Sequence, residues 1–198
     1  MTLLRAVLAC LAFGVVLGPF AVPGAAASCS GVDVGPQWTT IGGPGFPEDP
    51  EEPIAAFAIA PRRPDRIWVT DGTSVMRTDN GGCTWHEAFS LGSLPELDKP
   101  VSRLNTSIKA IEVPEAPGAQ DTVHLLLDEE IGPAHRPHVL SSDDAGEDWV
   151  LNDSGLPLVS GTPIELAIAP SDPNVLYLLL QAHPAGGAEV WANESAGG

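Results

Sequence analysis

The chain has 198 residues, 26 of them acidic and 9 basic, for a net charge of −17. That balance argues against a nucleic-acid backbone or an anionic membrane surface as partner, and its plain reading is the solubility of an exported protein. With 21 glycines, 20 prolines and few aromatics, the composition suits many short strands joined by turns rather than long helices.

The first element is a leader. Arg5 precedes an apolar run from Ala6 to about Val22, and Ala25, Ala26 and Ala27 form a small-residue cleavage site. This is the layout of a secretory signal peptide over residues 1–27. Pro19 and Pro23 interrupt the run, leaving it short of the roughly 20 apolar residues that a membrane span needs. No transmembrane span is expected in the mature chain, residues 28–198, which is expected to be secreted, periplasmic or held at the cell surface. A lipid anchor on Cys29 is the lesser alternative, because the Leu usual three positions earlier is here Ala26. Cys10 leaves with the leader. Cys29 and Cys83 remain in an oxidising compartment, where a disulfide between them, a lipidated Cys29 and a Cys83 buried as a thiol all stay open.

Residues 37–41, QWTTI, read as a strand of the kind that follows a glycine-bearing turn, with no such turn before it. Residues 42–53, GGPGFPEDPEEP, form an acidic, proline-rich loop expected at the surface. The rest falls into three segments of one rhythm, residues 54–85, 107–149 and 163–198, and such internal repeats decide the fold. Each opens with an apolar strand that stops at a proline, at Pro61, Pro114 and Pro170, because proline offers no N–H to a ladder. The second strands, RIWVT, TVHLLL and VLYLLL, are continuous apolar runs, the pattern of burial on both faces. A variable loop and a third short strand follow. In the first two segments a glycine-bearing turn then leads to Trp85 or Trp149 and a fourth strand. Four short strands in about 50–60 residues make one blade of a β-propeller, whose blades pack radially in rings of roughly 4–8. The expected fold is all-β: about three four-stranded antiparallel blades of an incomplete ring.

The turns align. TDNGGCTW at residues 78–85 and SDDAGEDW at residues 142–149 share the pattern S/T-x-D/N-x-G-x-x-W. This resembles the Asp-box, or BNR, repeat of sialidases, sortilin-type propellers, xyloglucanase-type glycoside hydrolases and photosystem assembly-factor-like proteins, and the resemblance covers most of the mature chain. It implies that Asn80 and Asp144 accept backbone N–H groups across the turn and that Gly82 and Gly146 supply positive φ. The hydroxyls of Thr78, Thr84 and Ser142 would add further bonds, and Trp85 and Trp149 would cover the turns. Asn80 departs from the usual Asp, and Asp148 stands where Thr or Ser is usual. A degenerate third copy begins with Asn193, Ser195 and Gly197. Asp79 and Cys83 fall at variable positions. Three blades lie below the usual minimum of about four, so the pattern predicts a truncated product or incomplete sequence whose open sheet edges self-associate.

The chemistry candidates are weaker than the architecture. Sialidase chemistry would need a nucleophilic tyrosine, but the sole Tyr177 lies in an apolar strand and is expected in the core. Arg62, Arg63 and Pro64 align with a turn of the third segment. Glycoside hydrolysis needs two facing carboxylates. Asp71, Asp128, Glu129 and Glu130 are available, but abundance selects no pair and they are expected as surface charge. His135 and His138 are expected in a solvated proline-rich loop without a third metal ligand. No catalytic, cofactor-binding or metal residue and no cofactor is expected. The resulting reading is an exported, non-enzymatic module that binds or scaffolds a protein or glycan. The alternative is a fragment of a secreted xyloglucanase-like glycoside hydrolase. Thiol titration of the unreduced protein tests the bridge, since two reactive thiols would rule out a Cys29–Cys83 disulfide.

Overall fold

The computed structural model describes residues 42–45, 53–96, 105–152, 154–181 and 188–194. Residues 1–27, read above as a leader, Cys29, the QWTTI segment, most of the acidic loop, and Ser195 and Gly197 of the expected third turn lie outside them.

The described chain is all-β and forms three up-and-down antiparallel sheets. The first holds β1 (Ala56–Ala60), β2 (Arg63–Thr70), β3 (Ser74–Thr78) and β4 (His86–Ser90), in that order. The second holds β5 (Thr106–Glu112), β6 (Val123–Ile131), β7 (Ala134–Ser142) and β8 (Val150–Leu151), again in order. The third has three described strands, β9 (Thr162–Ala169), β10 (Asp172–Gln181) and β11 (Glu189–Glu194), with β10 in the middle. A short 3-10 helix over Leu91–Glu96, with no counterpart in the sequence reading, follows β4 and buries Leu91 and Leu94. β5 packs against β1 on one side and β9 on the other, so the sheets stack as propeller blades do, and the ring is open.

The middle sheet explains the continuous apolar run. Successive side chains of a strand point to opposite faces, yet Leu125, Leu126 and Leu127 are all fully buried. Leu125 and Leu127 join Trp68, Val75, Phe89, Ile108 and Leu140 in one core toward the first sheet. Leu126 joins Leu166, Leu176, Leu178 and Leu180 in a second core toward the third. The first sheet buries a smaller cluster, Ile67, Val69 and Met76 against Trp85, on its other face, and among the described residues the third sheet has one covered face. β10 buries Leu176, Leu178 and Leu180 but leaves Tyr177 41 % exposed, and β1 leaves Phe57 65 % exposed.

Three expectations are corrected here. Tyr177 is not a core residue, because its face of β10 has no covering sheet among the described residues. His135 and His138 are not in a loop; they lie in β7, which pairs with β6 along its whole length from Ile131↔Ala134 to Val123↔Ser142. Pro137 is tolerated there because β8 pairs only with Leu140 and Ser141. Its missing N–H thus faces the outer edge, between the contacts of His135 with Val159 and Val139 with Asn152. Asp128 and Glu129 are not surface charge either, being 4 % and 5 % exposed.

His124 of β6 is buried, with Nδ1 2.6 Å from the Ser141 hydroxyl and Nε2 without a protein hydrogen-bond partner. Burial pushes its pKa down to about 4, against a weaker upward pull from Asp143. The unfolded chain therefore takes up this proton first as pH falls. Stability is expected to drop by on the order of 3 kcal/mol between the unfolded value of 6.5 and about pH 4. Urea titrations across that range check this, and His124→Gln should flatten the dependence. In the same assay at pH 7, Leu126→Ala should cost about 2–5 kcal/mol. Val150→Ala, at a 63 % exposed position, should change stability by no more than about 0.5 kcal/mol.

Candidate functional site

At one end of the sheets lie the two turns that join β3 to β4 and β7 to β8. In the first, the Thr78 hydroxyl donates to Asn80 Oδ1 at 2.9 Å and accepts the N–H groups of Asn80 and Gly82 at 3.3 and 3.0 Å. Asn80 Oδ1 also accepts the Thr84 N–H at 2.9 Å. In the second, the Ser142 hydroxyl donates to Asp144 Oδ1 at 2.7 Å and accepts from Asp144 and Gly146. Asp144 Oδ1 accepts the N–H groups of Glu147 and Asp148, both at 3.0 Å. These bonds hold the Asp144 carboxyl below the usual range, with the Asp148 N–H contributing most.

The difference between the copies has a local cause. Asn80 carries an amide NH2 that needs an acceptor, and the Thr84 hydroxyl supplies it at 2.8 Å. Asp144 has no such donor, so Asp148 needs no hydroxyl. Gly82 and Gly146 have φ of 90° and 96°, and the residues before them, Gly81 and Ala145, are also left-handed at 67° and 64°. For Ala145 this is a conformation that costs a residue with a Cβ about 1 kcal/mol.

The tryptophans reach further than their own turns. The Trp149 indole donates to the Ala88 carbonyl of β4 at 2.9 Å and meets Phe89 edge-on, with centroids 5.5 Å apart. Trp149 thus joins the second sheet to the first. Trp85 packs on Ile67, Val69 and Met76 and donates to the Gly42 carbonyl at 3.0 Å.

Sequence reading passed over a charged cluster at this end. Arg66, 7 % exposed, donates to Asp79 at 2.5 Å and to Asp121. Arg77 donates to Asp79 at 3.0 Å, to the Ala145 carbonyl at 2.5 Å and to Glu147 at 3.0 Å. Burial works to raise the pKa of Asp79, but the Arg66 hydrogen bond and the charges of Arg77, Arg66 and His86 prevail and lower it. Asp79, variable in the repeat, is therefore the carboxylate shared by two buried arginines that tie the first sheet to the second. Cys83 is half-buried in the first turn, and its proposed partner Cys29 lies outside the described residues.

A second cluster lies toward the β6–β7 hairpin. Asp128 is within 3.0 and 3.1 Å of His135 Nδ1 and 3.8 Å of Lys109. His135 Nε2 lies 3.5 Å from the Thr162 hydroxyl. Glu129 contacts His138 Nε2 at 3.2 Å and Arg136 at 3.1 Å. Asp128 and Glu129 are consecutive in a strand and so point to opposite faces, which prevents them from facing one sugar. Asp71 Oδ1 caps its own turn through the Thr73 and Ser74 N–H groups at 2.7 and 2.8 Å, and Glu130 is exposed. The Asp128–His135–Thr162 series has the order of a base and hydroxyl, but its last step exceeds the roughly 2.6–3.2 Å reach of an activated nucleophile. His135 also exchanges two backbone hydrogen bonds with Val159, at 2.8 and 2.9 Å, so the series ties the second sheet to the segment entering the third. Among the described residues no group of three His, Cys, Asp or Glu is placed to hold a metal ion. No helix among them is long and apolar enough to cross a membrane.

No protein-family model and no curated protein matches the chain. Among solved structures, the crystal structure of an ancestral GH74 enzyme is similar over 72 % of this chain, with 16 % identity and a TM-score of 0.39. The match spans only 24 % of that enzyme, and a likeness this low decides nothing about activity.

The second turn is sterically closed. A Cβ on Gly146 would lie 3.1 Å from the Ala88 Cβ and 3.2 Å from the Trp149 ring, at a φ that side chains resist. Gly146→Ala should therefore destabilise by about 1–3 kcal/mol, read by denaturant titration of tryptophan fluorescence. Gly118→Ala has open space around its Cβ, so it should show only the smaller cost of positive φ.

Proposed function

We propose that the chain is an exported, non-enzymatic Asp-box propeller module that binds or scaffolds a protein or a glycan. The observation that carries this reading is the disposition of the buried carboxylates. Asp128 and Glu129 diverge to opposite faces and are each engaged by a histidine. Asp71 serves its own turn, and Asp79 is held by Arg66 and Arg77. The most buried acidic side chains thus act as struts between strands and sheets. The leader sequence supports export, and the matching hydrogen bonds of the two turns support the Asp-box assignment. The rival reading, a fragment of a xyloglucanase-like hydrolase, gains nothing from these carboxylates.

The test is to incubate the full chain with a panel of plant and bacterial glycans, following reducing ends and, separately, heat of binding. Saturable binding without new reducing ends is the expected result for a glycan ligand. Binding to none of them would count against a glycan ligand. Turnover that disappears when one pair of carboxylates is replaced by amides would overturn the non-enzymatic reading.

A further inference from the structure

Asn80 is the one asparagine of the chain that a glycine follows; Asn105, Asn152, Asn174 and Asn193 precede Thr106, Asp153, Val175 and Glu194. The step matters chemically. A backbone nitrogen can attack the side-chain amide carbon of the asparagine before it, and a Cβ on the attacking residue hinders an approach that glycine leaves open. The second turn, whose hydrogen bonds match those of the first, carries Asp144 at the same position and Ala145 after it. The two copies thus hold the reactant and the product of one reaction, the conversion of an amide to a carboxylate.

The first turn activates one partner of that reaction and restrains the other. Asn80 Oδ1 accepts the Thr78 hydroxyl and the Thr84 N–H, both at 2.9 Å. Donors aimed at a carbonyl oxygen draw charge from its carbon and favour nucleophilic attack there. The nucleophile, however, is held. Gly81 is buried, and its N–H donates to the Asp65 carbonyl of β2 at 2.8 Å. The leaving group is held as well, since Asn80 Nδ2 donates to the Thr84 hydroxyl at 2.8 Å. Arg66, next to Asp65 in the chain, pairs with Asp79, next to Asn80, and so keeps β2 against the turn. Attack requires the bond from Gly81 to Asp65 to break, which ties the reaction to local opening of the turn.

We propose that Asn80 is a deamidation site gated by the folded turn, and that the turn accepts the aspartate it yields. When the turn opens, the Gly81 nitrogen bonds to Asn80 Cγ. Its proton passes to the amide nitrogen, which leaves as ammonia, and a cyclic imide results. Water then opens the imide. Cleavage between Cγ and the Gly81 nitrogen gives aspartate. Cleavage at the backbone carbonyl gives isoaspartate, with an extra methylene in the main chain.

Aspartate fits the surroundings of position 80. The Thr78 hydroxyl and the Thr84 N–H keep their acceptor, as the Ser142 hydroxyl and the Asp148 N–H do at Asp144. The Thr84 hydroxyl, relieved of the amide donor, turns to donate to the second carboxylate oxygen. The extra methylene of isoaspartate would instead move Gly81 and Gly82 off their bonds to Asp65 and Thr78. This site is independent of whatever ligand the chain binds.

The test incubates the full chain, folded and in urea, at mildly alkaline pH. Mass spectrometry follows amide-to-acid conversion in the peptide carrying Asn80, with the Asn105 peptide as internal reference. Conversion at Asn80 is expected to outpace that at Asn105 in urea, and to be slower in the folded chain than in urea by about tenfold or more. Thr84→Val should raise the folded-state rate several-fold and leave the rate in urea unchanged. Asn80→Asp should keep the urea midpoint and the far-ultraviolet circular dichroism of the parent chain. Equal rates at Asn80 with and without urea would overturn the gate, and no conversion in urea would overturn the site. A lowered urea midpoint in Asn80→Asp would overturn the fit of the product.

Discussion

A sheet has two faces, and the fold of this chain depends on which of them a neighbour covers. Fully burying a leucine is worth about 1.5–3 kcal/mol, and the middle sheet collects that gain on both sides through Leu125, Leu126 and Leu127. The first sheet adds a smaller cluster on its other face, Ile67, Val69 and Met76 against Trp85, and among the described residues the third sheet collects it on one side only. The same rule fixes the order of the structure. Trp68 and Val75 of the first sheet and Leu176, Leu178 and Leu180 of the third are buried because each faces the second. Phe57 and Tyr177 are exposed because each faces away.

Apolar contact is non-directional, so it leaves two sheets free to slide. The polar ties resist that sliding. Arg77 of β3 reaches the Ala145 carbonyl and Glu147 in the turn of the second sheet, and Arg66 reaches Asp79 and Asp121. Trp149 adds a bond to Ala88. Buried ion pairs add little net stability once desolvation is counted, and the part they play here is positional. Between the second sheet and the segment entering the third, the polar ties are the two Val159 hydrogen bonds of His135 and its 3.5 Å contact with the Thr162 hydroxyl.

The sequence reveals most where the physics is local. Proline stops at Pro61, Pro114 and Pro170, apolar runs of strand length and the two glycine-bearing turns depend on residues close in the chain. β1, β5 and β9 end at or just before those prolines. The turns were legible because their hydrogen bonds span only two to four residues. What stayed hidden depends on distant partners. Arg66 meets Asp121 55 residues on, and Arg77 meets Glu147 70 residues on. The repeat pattern left Asp79 without a role because its arginine partners, Arg66 and Arg77, lie outside the turn motif. Tyr177 misled for the converse reason: its strand is apolar enough for a core, but burial requires a neighbour as well as a sequence. HRPH read as a loop because a proline argues against a strand unless its missing N–H faces an open edge.

Charge sharpens the same point. The chain has 9 basic residues against 26 acidic ones, and Arg62, Arg63, Arg66 and Arg77 all reach from the first sheet to residues of the second segment. The consequence appears on the first strands of the second and third sheets. Glu112 of β5 has its pKa raised, chiefly by burial and then by repulsion from Glu165 of β9. A raised carboxyl pKa means that the folded state holds this proton more tightly than the unfolded chain, so the contribution of Glu112 to stability declines as pH rises through its folded value. Asp79 has the opposite sign, because two guanidinium groups outweigh its burial. The contact between the first and second sheets is thus strengthened by ionisation of its carboxylate, and the contact between the second and third is opposed by it. That asymmetry comes from where the few arginines sit, and packing alone would not produce it.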